Sequence, residues 1–462
     1  MDKALAKFLK DRGFAADDSL SSHIATWKSW YAGKVTGFHD YRVYNGVTQV
    51  PRKRSSLQLG KTICEQLANL LFNEKCKITA NREATQEFIM SVFDENNMYI
   101  KLNESQERKS AFGTVCYIPY FTRDGIRLNY ITAENMVPLS WENGVINELC
   151  VHSKAQSEGK AYTFVQLFTL DGNKQYVVEN ILLRVSGGRY ETVPLESVPG
   201  FENLEPIVLT GSPSRPFVVD RLNVANNIDP DSPMGLAVFA NAIDTMRFCD
   251  LIYDSYSNEF ELGKKRVMVS SEATSIQMAS GQVIPTFDSN DIVFYRLPES
   301  ATPANEKPYI HELTMNLRAA EHETALQQGL NVFSSQCGLG ENYFRYNSAG
   351  LSTATQVISE NNTMFRTLKK HEIILEAVLV DLVRLIIEIG IRYSLAPGLD
   401  NEAEITVTFD DSIIEDKNSE AQRRLQEVAA GIYRPELYLA WRYGVTEEEA
   451  LKMMPDMGRI IE

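Results

Sequence analysis

The strongest constraint on this chain lies between residues 353 and 393, where a helical pattern runs without a break. Thr353 and Gln356 fit a capping box, two residues able to satisfy each other's backbone donors. A helix from there to Tyr393 is about 60 Å long at a rise of about 1.5 Å per residue, more than most globular helices reach. Its halves differ. The first, QVISENNTMFRTLKKHE, is mostly polar; the second repeats Leu368, Leu375, Leu382 and Ile389 every seven residues, with Val378 and Leu385 between them. A membrane span is the rival reading of IILEAVLVDLVRLIIEIG, but Glu376, Asp381, Arg384 and Glu388 fall inside it and are costly in a bilayer. The sequence therefore predicts a helix buried between neighbouring elements or subunits. So long an apolar seam favours a closed ring with repeated head-to-tail interfaces over a monomer.

At 462 residues the chain is long enough for two to four units by the usual scale of about 100 to 200 residues each. Its net charge of −15 is the reverse of what a protein that grips nucleic acid shows, because phosphate contact is made by clustered Lys and Arg. It does not exclude a surface past which a polyanion slides. Cys64, Cys76, Cys116, Cys150, Cys249 and Cys337 are scattered with no C-x-x-C pair, which points to reduced thiols rather than a zinc ribbon or disulfide framework. Lys3, Lys7, Lys10, Asp11 and Arg12 break any apolar run at the N-terminus, so MDKALAKFLKDRGF reads as a short amphipathic helix and not as a signal peptide or anchor.

Three stretches resemble catalytic motifs and each lacks a required residue. LGKT at 59–62 has the end of a phosphate loop, but Ser55 stands where the first glycine belongs, and the segment continues into the helical pattern ICEQLANLLF. His-Glu pairs occur at His311, His322 and His371, yet four residues on stand Met315, Leu326 and Leu375 instead of the second histidine of a zinc helix. The acidic run 409–420 lacks the alternating ligands and central glycine of a calcium loop. No nucleophile elbow G-x-S-x-G occurs. No cofactor or metal is expected.

Residues 57–72 read as a helix, and 76–225 as a mixed region dominated by antiparallel strands such as GTVCYIPYF and KAYTFVQLFTL. Ser232 and Pro233 look like a helix start, with the helix ending near Gly263. A strand-like insert follows at 266–298, and a second helix at about 312–334. Then comes CGLGENYFRYNSAGLS, a loop with three aromatics and one arginine set between glycines, leading into the long helix. AEITVTF is a strand able to return to the earlier β region, and short helices at 417–430 and 446–454 close the chain.

Helix, β tip, helix, glycine-bounded aromatic loop and long two-part helix, in that order, resemble the portal proteins of tailed bacteriophages, most nearly those of long-tailed phages infecting Gram-positive hosts. The resemblance covers about residues 232–395, in FANAIDTMRFCDLIYDSYSNEF, LRAAEHETALQQGLNVFSSQCGLGENYF and STATQVISENNTMFRTLKKHE. NEFELGKKR and TATQVISENN are its specific phrases.

The resemblance implies an α+β portal fold: a wing (1–231) with a return strand (396–416), stem helices (232–266 and 306–336), a small α/β clip (267–305), a tunnel loop (337–352), the long helix (353–395) and a helical crown (417–462). It implies a homo-oligomeric ring, usually of about twelve subunits, at one capsid vertex of the virion, assembled in the host cytoplasm. Double-stranded DNA passes through its channel without sequence recognition. The partners implied are the terminase large subunit, a head-tail adaptor, and the major capsid and scaffolding proteins, with no membrane. The DNA-facing residues implied are Asn342, Tyr343, Phe344, Arg345, Tyr346 and Asn347 in the tunnel loop; Lys264, Lys265 and Arg266 form a basic triplet at the stem–clip junction. With Glu341 and Arg345 as its only charges, the loop has almost no net pull on phosphate. Two alternatives stay open: Tyr343, Phe344 and Tyr346 can pack under a neighbouring subunit, leaving only Arg345 and the glycines to face the channel, and the basic triplet can simply complement the helix end. Rival functions are a packaging ATPase or nuclease resting on LGKT, and a membrane-associated scaffold resting on 373–391.

Overall fold

A computed structural model describes residues 2–16, 18–44, 46–73, 75–262, 266–270, 275–277, 283–285, 294–297, 310–313, 316–345, 354–409 and 417–454; at 262, 266–313, 354–361 and 417–420 it describes the backbone alone. The N-terminal part opens with helices α1 (Lys3–Asp11) and α2 (Ser21–Tyr31), the hairpin β1 (Asp40–Tyr44) and β2 (Gln49–Lys53), α3 (Leu59–Leu71), β3 (Lys77–Ala80), α4 (Glu83–Glu95) and α5 (Met98–Phe112). An antiparallel region follows: β4 (Thr114–Thr122), β5 (Gly125–Thr132), β6 (Met136–Glu142), β7 (Val145–Ser157), β8 (Lys160–Leu170), β9 (Tyr176–Ser186), β10 (Arg189–Val193), β11 (Ile207–Leu209) and β12 (Val218–Arg221). Strands β6 to β10 form one sheet in sequential order with β11 beside β9, while β12, β4 and β5 form a second. The amphipathic α1 closes the large sheet, its Leu5, Phe8 and Leu9 packing on Val137, Cys150, Val165, Leu167 and Leu183.

Between β12 and the next helix the chain departs from expectation. Residues 232–239 are not helical; after a short 3-10 turn, α6 runs Ile243–Leu262. The backbone donors that a helix would use are taken by other elements: Gly235 N–H donates to Thr114 Oγ1 (2.8 Å) and Val238 N–H to Ser110 O (2.8 Å). Gly235 lies so close to Gly113 that a Cβ on Gly113 would come within 2.2 Å of the Gly235 carbonyl oxygen. Local helix signals at Ser232 and Pro233 lose to this tertiary docking, which only two glycines permit.

The insert contains β13 (Arg266–Ser270), the hairpin β14 (Ser275–Gln277) and β15 (Val283–Pro285), β16 (Phe294–Leu297) and β17 (Ile310–Leu313). Strand β13 pairs parallel with β16 and antiparallel with β17. The helix that follows starts later than the periodicity suggests, as α7 (Ala319–Gln336), because 310–313 is drawn into the sheet. The long helix α8 spans Ala354–Arg392, its Thr353 cap lying outside the described residues. Strand β18 (Ile405–Thr408) returns to pair antiparallel with β3, as its sequence suggests. The chain closes with α9 (Lys417–Ala429), α10 (Pro435–Tyr443) and α11 (Glu447–Met453), one helix more than the sequence reading gives.

The apolar seam of α8 needs no neighbouring subunit. Leu368, Leu375, Leu382, Val378 and Leu385 sit in the main core of their own chain, beside residues of α3, α4, β4 and β12. Asp381 and Arg384 face outward, and no helix among the described residues is long and apolar enough to cross a membrane. The seam is thus buried between neighbouring elements of one subunit, one of the two coverings the sequence allows, and the ring that its length favours is not needed to cover it.

Candidate channel site

Helices α6 and α7 form an antiparallel pair. At one end Thr245 Oγ1 donates to Gln336 Oε1 (2.8 Å); at the other Arg318 Nε donates to Glu259 Oε1 (2.9 Å) and the rings of Tyr256 and His322 stack at 5.6 Å. Between them Gly329 lets the helices close up, since a Cβ there would lie 2.8 Å from Cys249 Sγ. Hydrogen bonding to Arg318 holds the Glu259 carboxyl below its ordinary range.

At the end of α7 the chain turns sharply, with Gly338, Gly340 and Asn342 all at positive φ. The turn is tied down residue by residue. Ser334 Oγ donates to Gly340 O (2.6 Å), Asn331 Nδ2 to Asn342 Oδ1 (3.3 Å) and Gln327 Nε2 to Phe344 O (2.8 Å). The Tyr343 hydroxyl donates to Gln66 Oε1 on α3 (3.0 Å), and the Phe344 ring stacks on Phe333 at 6.0 Å. Burial raises the Tyr343 phenol pKa, so it stays a donor at neutral pH. Tyr343 and Phe344 are half-buried against the main core, Asn342 is also half-buried, and Arg345 is exposed. Tyr346, Asn347, Lys264 and Lys265 lie outside the described residues, and Arg266 begins β13 opposite Leu313 with its backbone alone described. The sequence reading missed Gln66, Gln327, Asn331 and Ser334, the residues that set the root of the loop. The last three share one face of α7 at spacings of three and four, a signal that only a known packing partner makes interpretable.

The residues of the catalytic-looking stretches serve other purposes. Gly60 and Lys61 lie in the first turn of α3, and Lys61 Nζ meets Glu107 Oε1 (2.6 Å) and Glu65 Oε2 (3.2 Å). His371 is buried, its Nδ1 accepting from Asn223 N–H (3.1 Å), and burial together with Lys109 and Lys370 pushes its pKa down to about 3. His322 belongs to the α6–α7 pair, while His311 is described by its backbone alone, in β17. All six cysteines are free and buried, and burial raises the thiol pKa of Cys64, Cys116, Cys150, Cys249 and Cys337. Among the described residues no group of three or more His, Cys, Asp or Glu is placed to hold a metal ion.

The site consists of a helix pair, a tied loop root and a long core helix, with its conspicuous polar groups used in packing. A family model described as phage portal protein, SPP1 Gp6-like, matches residues 14–459, and the chain belongs to that family. It is accordingly a portal protein, a structural component of the capsid vertex of a phage virion. No curated protein matches it. Among solved structures it is similar to a chain from the virion of a native gene transfer agent particle, at 10% identity and a TM-score of 0.36 over 84% of this chain and 90% of that one.

Proposed function

We propose that the chain assembles into a closed ring, of about twelve copies, whose axial channel passes double-stranded DNA into the capsid and out again. The observation that carries this reading is the family match over nearly the whole chain. Within the ring, α6 and α7 serve as the stem, the insert 267–305 as the clip, the β-rich N-terminal part with β18 as the wing, and 417–462 as the crown. The clip docks first the terminase large subunit and later a head-tail adaptor, and the outer surface contacts the major capsid and scaffolding proteins. Assembly takes place in the host cytoplasm. The chain guides DNA without catalysing a reaction, and Lys61, engaged by Glu65 and Glu107, is placed for packing rather than phosphate binding.

The loop 337–352 narrows the channel. Its root supports a division of labour: Tyr343 and Phe344 hold the loop to its own subunit, while the exposed Arg345, with Tyr346 and Asn347, meets passing phosphate. One cation per subunit, offset by Glu341, touches DNA transiently and does not retain it. At the stem–clip junction Lys264, Lys265 and Arg266 add a second basic ring. Arg345→Ala is expected to leave the ring intact but alter packaged-genome length or ejection in infection assays; unchanged values of both would refute the role of Arg345. Charge reversal within 270–300 is expected to spare the ring and block motor or adaptor docking, and normal filled, tailed particles would count against it.

A further inference from the structure

The hairpin β1–β2 stands out from the body of the subunit. Four of the five residues in each strand are exposed, Tyr44 is 62% exposed and Val47, at the tip, 80%. Among the described residues neither outer edge is paired with another strand. A two-stranded hairpin wet on both faces is at best marginal alone, and open strand edges are templates for another chain. Its root, by contrast, is fastened to the stem helix. The buried His39 Nε2 meets Asp250 Oδ2 at 2.9 Å, and Ser55 N–H and Leu57 N–H donate to Asp254 Oδ1 (2.9 Å) and Asp250 Oδ1 (2.7 Å). Arg54 lies over the Phe38 and Tyr41 rings at 4.2 and 4.7 Å and donates from Nη1 to Phe38 O (2.6 Å). A firmly rooted arm thus carries an uncovered tip.

Charge indicates what covers it. The hairpin bears Arg42, Arg52 and Lys53 against Asp40 alone, in a chain whose net charge is −15. An acidic surface is present on the same chain: α4 contains no Lys or Arg and exposes Glu83, Glu87, Asp94 and Glu95. Three cations interleaved with exposed Val43, Tyr44 and Val47 are too sparse and too apolar for a phosphate grip, which needs clustered Lys and Arg. We propose that the β1–β2 hairpin is an arm that docks on an acidic surface of a neighbouring copy of this chain, with Arg42, Arg52 and Lys53 making the charged contacts and its open edge or tip the apolar ones. This rests on the ring reading above.

The test places a photo-crosslinking amino acid at Val47 in the full chain and irradiates the purified assembly. Covalent dimers whose adducts map to acidic surface of a second copy are expected. In parallel, the triple variant Arg42→Glu, Arg52→Glu, Lys53→Glu is expected to weaken subunit association at least tenfold by mass photometry, with its circular-dichroism melt unchanged. Rings that form normally in the triple variant, without inter-subunit adducts at Val47, overturn the arm while leaving the ring reading intact. Adducts to duplex DNA or capsid protein in place of a second copy also overturn it. A wild-type chain that stays monomeric removes both readings together.

Discussion

The buried ion pair between Lys109 and Asp220 shows how much of this subunit is held by single residues. Lys109 Nζ lies 2.9 and 3.1 Å from the two carboxylate oxygens, and Gln106 Nε2 (2.9 Å) and the Tyr117 hydroxyl (3.2 Å) donate to Oδ2. Both charges are almost wholly buried, at 1% and 0% exposure, so each depends on the other. Removing one partner strands the other away from water; Lys109→Met is expected to lower stability by about 3–5 kcal/mol, and Lys109→Met with Asp220→Leu by much less. Chemical denaturation of the three proteins checks this. His371 supplies a pH dependence. Its pKa of about 3 in the folded chain lies below its ordinary 6.5, so the unfolded state binds the additional proton between those values. Its contribution is therefore fully present above about pH 6.5 and is lost as pH falls toward 3, by about 1.4 kcal/mol per pH unit at most. Thermal melts between pH 7 and 5 are expected to show a shallower loss for His371→Gln, which keeps an acceptor for Asn223 N–H. Equal slopes would contradict it.

At the scale of elements, the stem pair and the loop root are the features to perturb. Gly329→Val forces a branched side chain against Cys249 and Phe248 and is expected to cost about 1–3 kcal/mol by overpacking, measurable as a lower melting temperature. Gln327→Leu removes the donor to Phe344 O and costs about 1 kcal/mol locally, so amide exchange across 338–345 is expected to quicken by about fivefold while the rest of the fold keeps its protection. Helices α1, α3 and α8 and strand β18 were legible in the sequence, because each carries a clean period and buries one face, whereas α2, α4, α5, α10 and the β1–β2 hairpin were not singled out. At two places a tertiary partner had won. The run 232–239 gives its donors to Ser110 and Thr114, and 310–313 joins β13. The seam of α8 was read as buried between neighbouring elements or subunits, and its own subunit provides the covering. No periodicity distinguishes a neighbour in the same chain from one in the next.

On the scale of the whole molecule, the order of elements and the family match agree on a portal protein. At the root of the loop, the packing of Tyr343 and Phe344 depends on Gln66, Gln327 and Phe333, distant or featureless in sequence. The functional reading then stands on assembly, since a channel lined by one loop per subunit exists only in a closed ring. The most direct measurement is an electron-microscopy class average of the purified wild-type chain, viewed down the particle axis. A closed ring of about twelve subunits with a central opening is expected. Monomers or dimers alone at micromolar concentration would contradict it.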